Sequence, residues 1–203
     1  MTEICSIEDL RAHYGEISPL AASKEITHLD RHARDFIARS PFLVMSTADA
    51  DGWPDASPKG DAPGFVTVED DHHLLLPDRI GNNRVDGFEN LMTNPKIGLI
   101  FFVPGVDHTL RVNGNARLLT EPATCARFSV NGKPARAVVR IAAEQVFFHC
   151  GKALMRSKLW KSEAWQPTTG LATLGAALAD QIGGMTSSDA EAKVQESIRL
   201  RMY

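Results

Sequence analysis

Hydrophobic residues repeat with a helical period at both ends of the chain and with a strand period through its middle. Residues 6–15 carry a short amphipathic pattern, with Ser6 placed to cap a helix ahead of Glu8 and Asp9. A stronger helix opens at Thr27, with Leu29, Ala33, Phe36 and Ile37 on one face and Asp30, Arg31, Arg34 and Asp35 on the other. Pro41 ends it.

From Phe42 the period falls to two. Residues 42–47 read as a strand, 49–52 as a turn and 53–58 as the hairpin return. Further strands are predicted at 64–68, 73–76, 96–103, 109–119 and 135–150, the last with a bend or bulge at Ala142-Ala143-Glu144. Helical patterns at 83–92 and 121–130 interrupt them, the second opening at Thr120 and Pro122 and closing at Asn131-Gly132. After Cys150 the pattern is helical again at 152–160, 171–182 and 187–202. Tight turns and few crossover helices predict an antiparallel β-barrel with peripheral helices, not a doubly wound parallel sheet.

Composition narrows the function classes. The chain has 203 residues, 43% hydrophobic and 23% charged, as in ordinary globular domains. A formal charge of -3 offers no general attraction to nucleic acid or to an anionic membrane, so an anion site must be local. No apolar run reaches the roughly 20 residues of a membrane span, and Met1-Thr2-Glu3-Ile4-Cys5 does not read as a secretory signal. The expected compartment is the cytoplasm. Cys5, Cys125 and Cys150 form neither a disulfide framework nor a metal knuckle, and the adjacent His72 and His73 point to opposite sides of a strand, so no metal site is expected. All three cysteines read as small, partly buried apolar residues, and Cys150 alone, near Lys152 and Arg156, sits in a basic setting.

Two turn-rich segments concentrate the chemistry. The first, Pro54-Asp55-Ala56-Ser57-Pro58-Lys59-Gly60-Asp61, offers a hydroxyl and an ammonium at a strand end. The second, Leu76-Pro77-Asp78-Arg79-Ile80-Gly81-Asn82-Asn83-Arg84, feeds a strand into a helix through a Gly/Asn loop. Arginine forks, backbone N–H groups and a helix N-terminus together suit a phosphate. Each residue alone has a plain alternative as a solvated turn residue or a helix cap. The spacing is neither a P-loop nor a dinucleotide fingerprint, since GK[ST] and G-x-G-x-x-G are both absent. Thr109, Arg111 and Asn113 share one face of a strand, either the solvated side of a sheet or the lining of a cleft. Lys152 and Arg156, at i and i+4, share one helix face that is either solvated or shared by an anion. No Ser-His-Asp or Cys-His constellation has local support, so an organic cofactor is the expected agent of any chemistry.

As a set, residues 54–61, 76–84, 94–95, 109–114 and 149–160 resemble the pyridoxamine-phosphate-oxidase-like family of FMN-binding split β-barrels, in a subgroup distinct from the true oxidases. Length and periodicity predict a single domain over 1–203, with N-terminal helices at about 6–40 and a C-terminal helical extension at about 151–203. The resemblance implies a homodimer with FMN sites between the subunits. Ser57, Pro58 and Lys59 would run along the flavin and ribityl chain, and the backbone of Leu76, Pro77 and Asp78 would meet the ring. Arg79, Asn82, Asn83 and Arg84 would surround the phosphate, Thr109 and Arg111 would lie on the flavin-contacting strand, and Lys152, Arg156 and Ser157 would come from the second subunit. Thr109 stands where the oxidases carry glutamine, and residues 199–203 do not match the oxidases' substrate-binding ending. The resemblance thus implies a flavoprotein oxidoreductase acting on a small molecule other than pyridoxamine phosphate. The alternative is a flavin- or haem-binding sensor on the same fold, which also has deazaflavin-using branches.

Overall fold

The computed structural model describes residues 3–202; the amino-terminal reading above also draws on Met1 and Thr2, which with Tyr203 lie outside them. Seven strands form one wholly antiparallel sheet: β1 (Phe42–Ala48), β2 (Pro54–Gly60), β3 (Thr67–Val68), β4 (His73–Asp78), β5 (Lys96–Phe102), β6 (Thr109–Leu119) and β7 (Ala137–His149). Their spatial order is β2-β1-β5-β6-β7-β4-β3. Around them stand α1 (Ile7–Tyr14), α2 (Pro19–Ser23), α3 (Arg31–Arg39), α4 (Asp86–Thr93), α5 (Pro122–Ala126), α6 (Lys152–Ser157), α7 (Leu174–Ile182) and α8 (Ser187–Arg201).

Alternation places Leu43 and Met45 of β1, Leu99 and Phe101 of β5, and Leu110 and Val112 of β6 on the inner face, all nearly inaccessible to water. Ala33, Phe36 and Ile37 of α3 pack into the same core. A second, smaller cluster joins Leu75 to Cys125, Phe128, Ala135 and Val138, so β4 is buried on both faces. The expected bulge is present. Asn113 pairs with Gln145 and Gly114 with Ala143, leaving Glu144 as the extra residue. Any side chain at Gly114 would run into the Ala142 carbonyl, which accounts for glycine there.

Local hydrogen bonding moves several predicted boundaries. The helix expected from Thr27 starts at Arg31, because Asp30 Oδ1 accepts the Ala33 N–H at 2.8 Å, while Ile26 bridges Val146 in extended form. The helix expected from Asn83 starts at Asp86. Asn82 Oδ1 accepts the Arg84 N–H at 2.9 Å, and Asn83 holds a left-handed φ of 63°, so the chain cannot turn helical sooner. The predicted strand at 64–68 shrinks to Thr67–Val68, and the helix predicted at 121–130 to Pro122–Ala126. The short helix α2, capped by Ser18, has no counterpart in the sequence reading.

The two ends of the sheet, β2 and β3, do not pair with each other among the described residues. A side-chain clasp spans this seam. Arg79, just after β4, donates through Nε to Asp61 Oδ2, just after β2, at 2.8 Å, and through Nη1 to the Phe128 carbonyl. The Asp61 side chain is 6% exposed and that of Arg79 21%, so removing Asp61 leaves the Arg79 guanidinium without its carboxylate in a largely dry place. Asp61→Ala is expected to cost up to about 3 kcal/mol in urea unfolding, at the lower end for a buried pair because Arg79 is partly wet. A change below about 0.5 kcal/mol would show that the clasp contributes nothing to stability.

Candidate functional site

A cavity of about 370 Å³ opens in the seam between β2 and the end of β4, closed at one side by the start of α4. The strand period of β2 decides which of its side chains face inward: Asp55, Ser57 and Lys59 are half-buried, while Pro54, Ala56, Pro58 and Gly60 are exposed. Asp78 and Arg79 enter from β4, and Asn82, Asn83 and Arg84 from the loop that follows. Gly87 lets α4 come this close. A Cβ there would lie 3.0 Å from both Asp55 Oδ2 and Met45 Cε. Gly81 has no such constraint, since a Cβ would meet nothing within 4 Å.

Eight residues expected at a phosphate or flavin site therefore line one cavity: Ser57, Pro58, Lys59, Asp78, Arg79, Asn82, Asn83 and Arg84. The others do not. Leu76 and Pro77 are buried in β4. Their strand edge is nonetheless open on one side, because β3 pairs only with Leu74 and Leu75. Thr109 is buried opposite His149, and Arg111 lies over the Phe147 ring at 5.5 Å. Lys152, Arg156 and Ser157 are exposed on α6 and do not line this chain's cavity.

Arg136 is the residue that sequence reasoning missed. It lies just before β7, far along the chain and outside any motif, and only the β4–β7 pairing brings it in. Its backbone N–H donates to the Asp78 carbonyl at 3.2 Å, and its Nη1 donates to Asn83 Oδ1. Asp55 and Asp86 also line the cavity unforeseen, although Asp55 sits inside the first turn-rich segment.

The site holds opposing charges in close balance. Lys59, Arg79, Arg84 and Arg136 line it together with Asp55, Asp78 and Asp86. Arg84 Nε donates to Asp86 Oδ2 at 2.7 Å in an exposed pair, and Lys59 Nζ lies 5.1 Å from the centre of the Phe88 ring. The N-terminus of α4 also ends here. Its cap residue, Val85, supplies no side-chain hydrogen bond, and its first residues, Asp86 and Gly87, line the cavity wall. Burial pushes the Asp78 carboxyl above its ordinary value, against the opposing pull of Lys59, Arg136 and Arg79.

Outside the cavity, Glu69, Asp70 and His73 bring ligand-type atoms within 4.8 Å of one another. Their charges are already engaged: His73 Nδ1 lies 2.9 Å from both Asp70 oxygens, and Glu69 Oε2 accepts from Arg140 Nε at 2.7 Å. Cys125 is buried in the small cluster, whereas Cys5 and Cys150 are exposed. No helix among the described residues is long and apolar enough to cross a membrane.

The sequence profile of the pyridoxamine 5'-phosphate oxidase family matches residues 29–150, which spans every strand of the sheet. The chain belongs to that family. No curated protein matches the chain. Among solved structures, HupZ from Group A Streptococcus is similar at 22% identity and a TM-score of 0.48, over 59% of this chain and 92% of that one. The heme storage protein HutZ from Vibrio cholerae is similar at 13% identity and a TM-score of 0.43, over 60% and 93%. A structure named F420 reductase is similar at 18% identity and a TM-score of 0.41, over 57% and 94%.

Because the native state holds the Asp78 proton more tightly than the unfolded chain, stability contributed at this position falls as pH rises. The fall begins near the unfolded value of 3.8 and ends at the higher native value. Relative to the wild type, the Tm of Asp78→Asn is expected to fall less, or rise more, as pH increases above about 4. A Tm difference between the two that does not change with pH would contradict the desolvated carboxyl.

Proposed function

We propose that this chain is an FMN-binding flavoprotein. It transfers a hydride between a reduced nicotinamide, or a similar donor, and a small molecule. The observation that carries this reading is the convergence of Lys59, Arg79, Arg84 and Arg136 with the uncapped N-terminus of α4 on one cavity. The donor set fits a phosphate monoester. Arg79 spends Nε and one Nη1 N–H on Asp61 and Phe128 and keeps the rest of its fork. Arg84 and Arg136 are exposed, each with one side-chain hydrogen bond that leaves other donors for a ligand.

In this reading Arg84, Arg136, Asn82 and Asn83 hold the phosphate, and Arg79 fixes the loop to β2 while adding charge. Ser57, Pro58 and Lys59 run beside the ribityl chain, and the open edge of β4 at Leu76, Pro77 and Asp78 meets the ring. Bound there, the flavin would supply the two-electron chemistry. The protein's part is to anchor the phosphate, exclude water from the ring and keep the Lys59 ammonium beside it. At about 370 Å³ and open on one side, the cavity matches the phosphate and ribityl portion better than a whole flavin mononucleotide. That shape favours a homodimer in which Lys152, Arg156 and Ser157 of the partner subunit complete the wall. The chain's cytoplasmic location belongs to the same proposal.

Titration of the purified protein with FMN, followed by quenching of flavin fluorescence, tests this. Arg136→Ala and Arg84→Ala are each expected to weaken FMN binding by about 10–100-fold, the loss of one charge-assisted contact. Anaerobic addition of a reduced nicotinamide is expected to bleach the bound flavin. Absence of flavin binding would overturn the proposal, and a haem spectrum in its place would favour the sensor alternative.

A further inference from the structure

The chain exposes far more surface than a compact monomer of its size. Its accessible area is 13564 Å² at 22.2 kDa, against about 9,400 Å² expected for a folded monomer of that mass. Two terminal segments are conspicuous in that excess. Every residue from 3 to 25 is exposed, including Ile7 at 79% and Leu20 at 80%. In the carboxy-terminal segment α7 and α8 pack on each other, with Ala179 and Ala190 buried and Gly175 so close to the Glu191 backbone that a side chain would clash. Their outer faces nevertheless present Leu174, Ile182, Ile198 and Leu200 to water.

The sheet itself has an apolar outer face that is only partly covered. Phe42 and Val44 of β1 pair with Phe102 and Ile100 of β5 on the side opposite the core, and Phe42 remains 41% exposed. Strands apolar on both faces belong to sheets covered on both sides. We infer that residues 3–24 and the α7–α8 hairpin pack on a second copy of this chain, each copy clasping the other. This inference rests on the homodimer proposed above, not on its flavin.

Area and charge both select a second copy as the occupant. Covering even half of the excess on each of two chains would bury a total within the roughly 2,000–5,000 Å² of obligate homodimers. The amino-terminal arm carries Glu3, Glu8, Asp9 and Glu16 against Arg11 and Lys24. Residues 152–161 carry Lys152, Arg156, Lys158 and Lys161 and no acid. Exposed apolar side chains accompany both: Ile4, Ile7 and Leu10 on the acidic arm, Met155 and Leu159 on the basic segment. A surface with both patches is self-complementary under a two-fold axis, the requirement of a C2 dimer. An acidic arm is poorly suited to an anionic membrane.

The full-length chain, unlabelled and 15N-labelled, is unfolded and refolded as a mixture, then treated with a carbodiimide that joins carboxylates to lysines. Links from Glu8 or Asp9 to Lys158 or Lys161 are expected to include mixed-isotope pairs. In sedimentation the wild type is expected to be a dimer. Ile7→Glu with Leu174→Glu, both at exposed positions, is expected to raise its dissociation constant by about tenfold or more while the thermal unfolding of the sheet stays in place. Links confined to one isotope, a wild-type monomer, or an unchanged dissociation constant in the variant would overturn the inference. A dimer with exchanged arms that binds no flavin would sink the cofactor reading alone. A flavin-binding dimer whose arms link only within one chain would sink this inference alone.

Discussion

The ion pair between Arg79 and Asp61 holds together what strand pairing leaves open. Six neighbouring strand pairs define the sheet, yet its ends, β2 and β3, share no ladder. Without a tie across that seam, the inner faces of β2 and of the β4 end would be free to separate. The clasp fixes them at a 2.8 Å contact and draws the Phe128 carbonyl of the α5 turn into the same knot. The cavity is the space this tie leaves above it. A barrel completed by backbone hydrogen bonds would fill that position with a ladder. A split one leaves room for a ligand.

Charge in the seam follows from the same constraint. Four cations brought within one cavity repel one another, and the protein offsets this with Asp55, Asp78 and Asp86 inside it and Asp61 beneath. The compensation is uneven. Arg79 is tied to a nearly inaccessible carboxylate, whereas Arg84 meets Asp86 in an exposed pair that a stronger anion can displace. Asp78 is held partly against its own ionisation by burial. Of the arginines lining the cavity, Arg84 and Arg136 thus have exposed partners, Asp86 and Asn83, whereas Arg79 does not.

Much of this was legible in the sequence because it is local. Period-two runs located all seven strands, although only 109–119 kept its bounds, and Ala142-Ala143-Glu144 marked the bulge opposite Gly114. The two turn-rich segments were recognisable by residue type, and ten of their residues meet in the cavity. What stayed hidden depends on contacts distant in sequence. Arg136 acquires its place only when β7 pairs with β4, and Arg79 acquires a structural partner in Asp61 only when the sheet curls. The start of α4 was misplaced for a local reason: Asn82 offers the backbone a turn that competes with the helix, as short polar side chains do.

The family match accounts for the sheet, and the seam accounts for the site. The central claim is narrower than either: the cation cluster at the seam is a phosphate site, and the phosphate is what fastens the flavin. Comparing FMN with riboflavin by isothermal titration separates phosphate recognition from ring recognition on the same protein. The account predicts that FMN binds at least about 100-fold more tightly, the worth of one or two charge-assisted hydrogen bonds. Equal affinities for the two would contradict it.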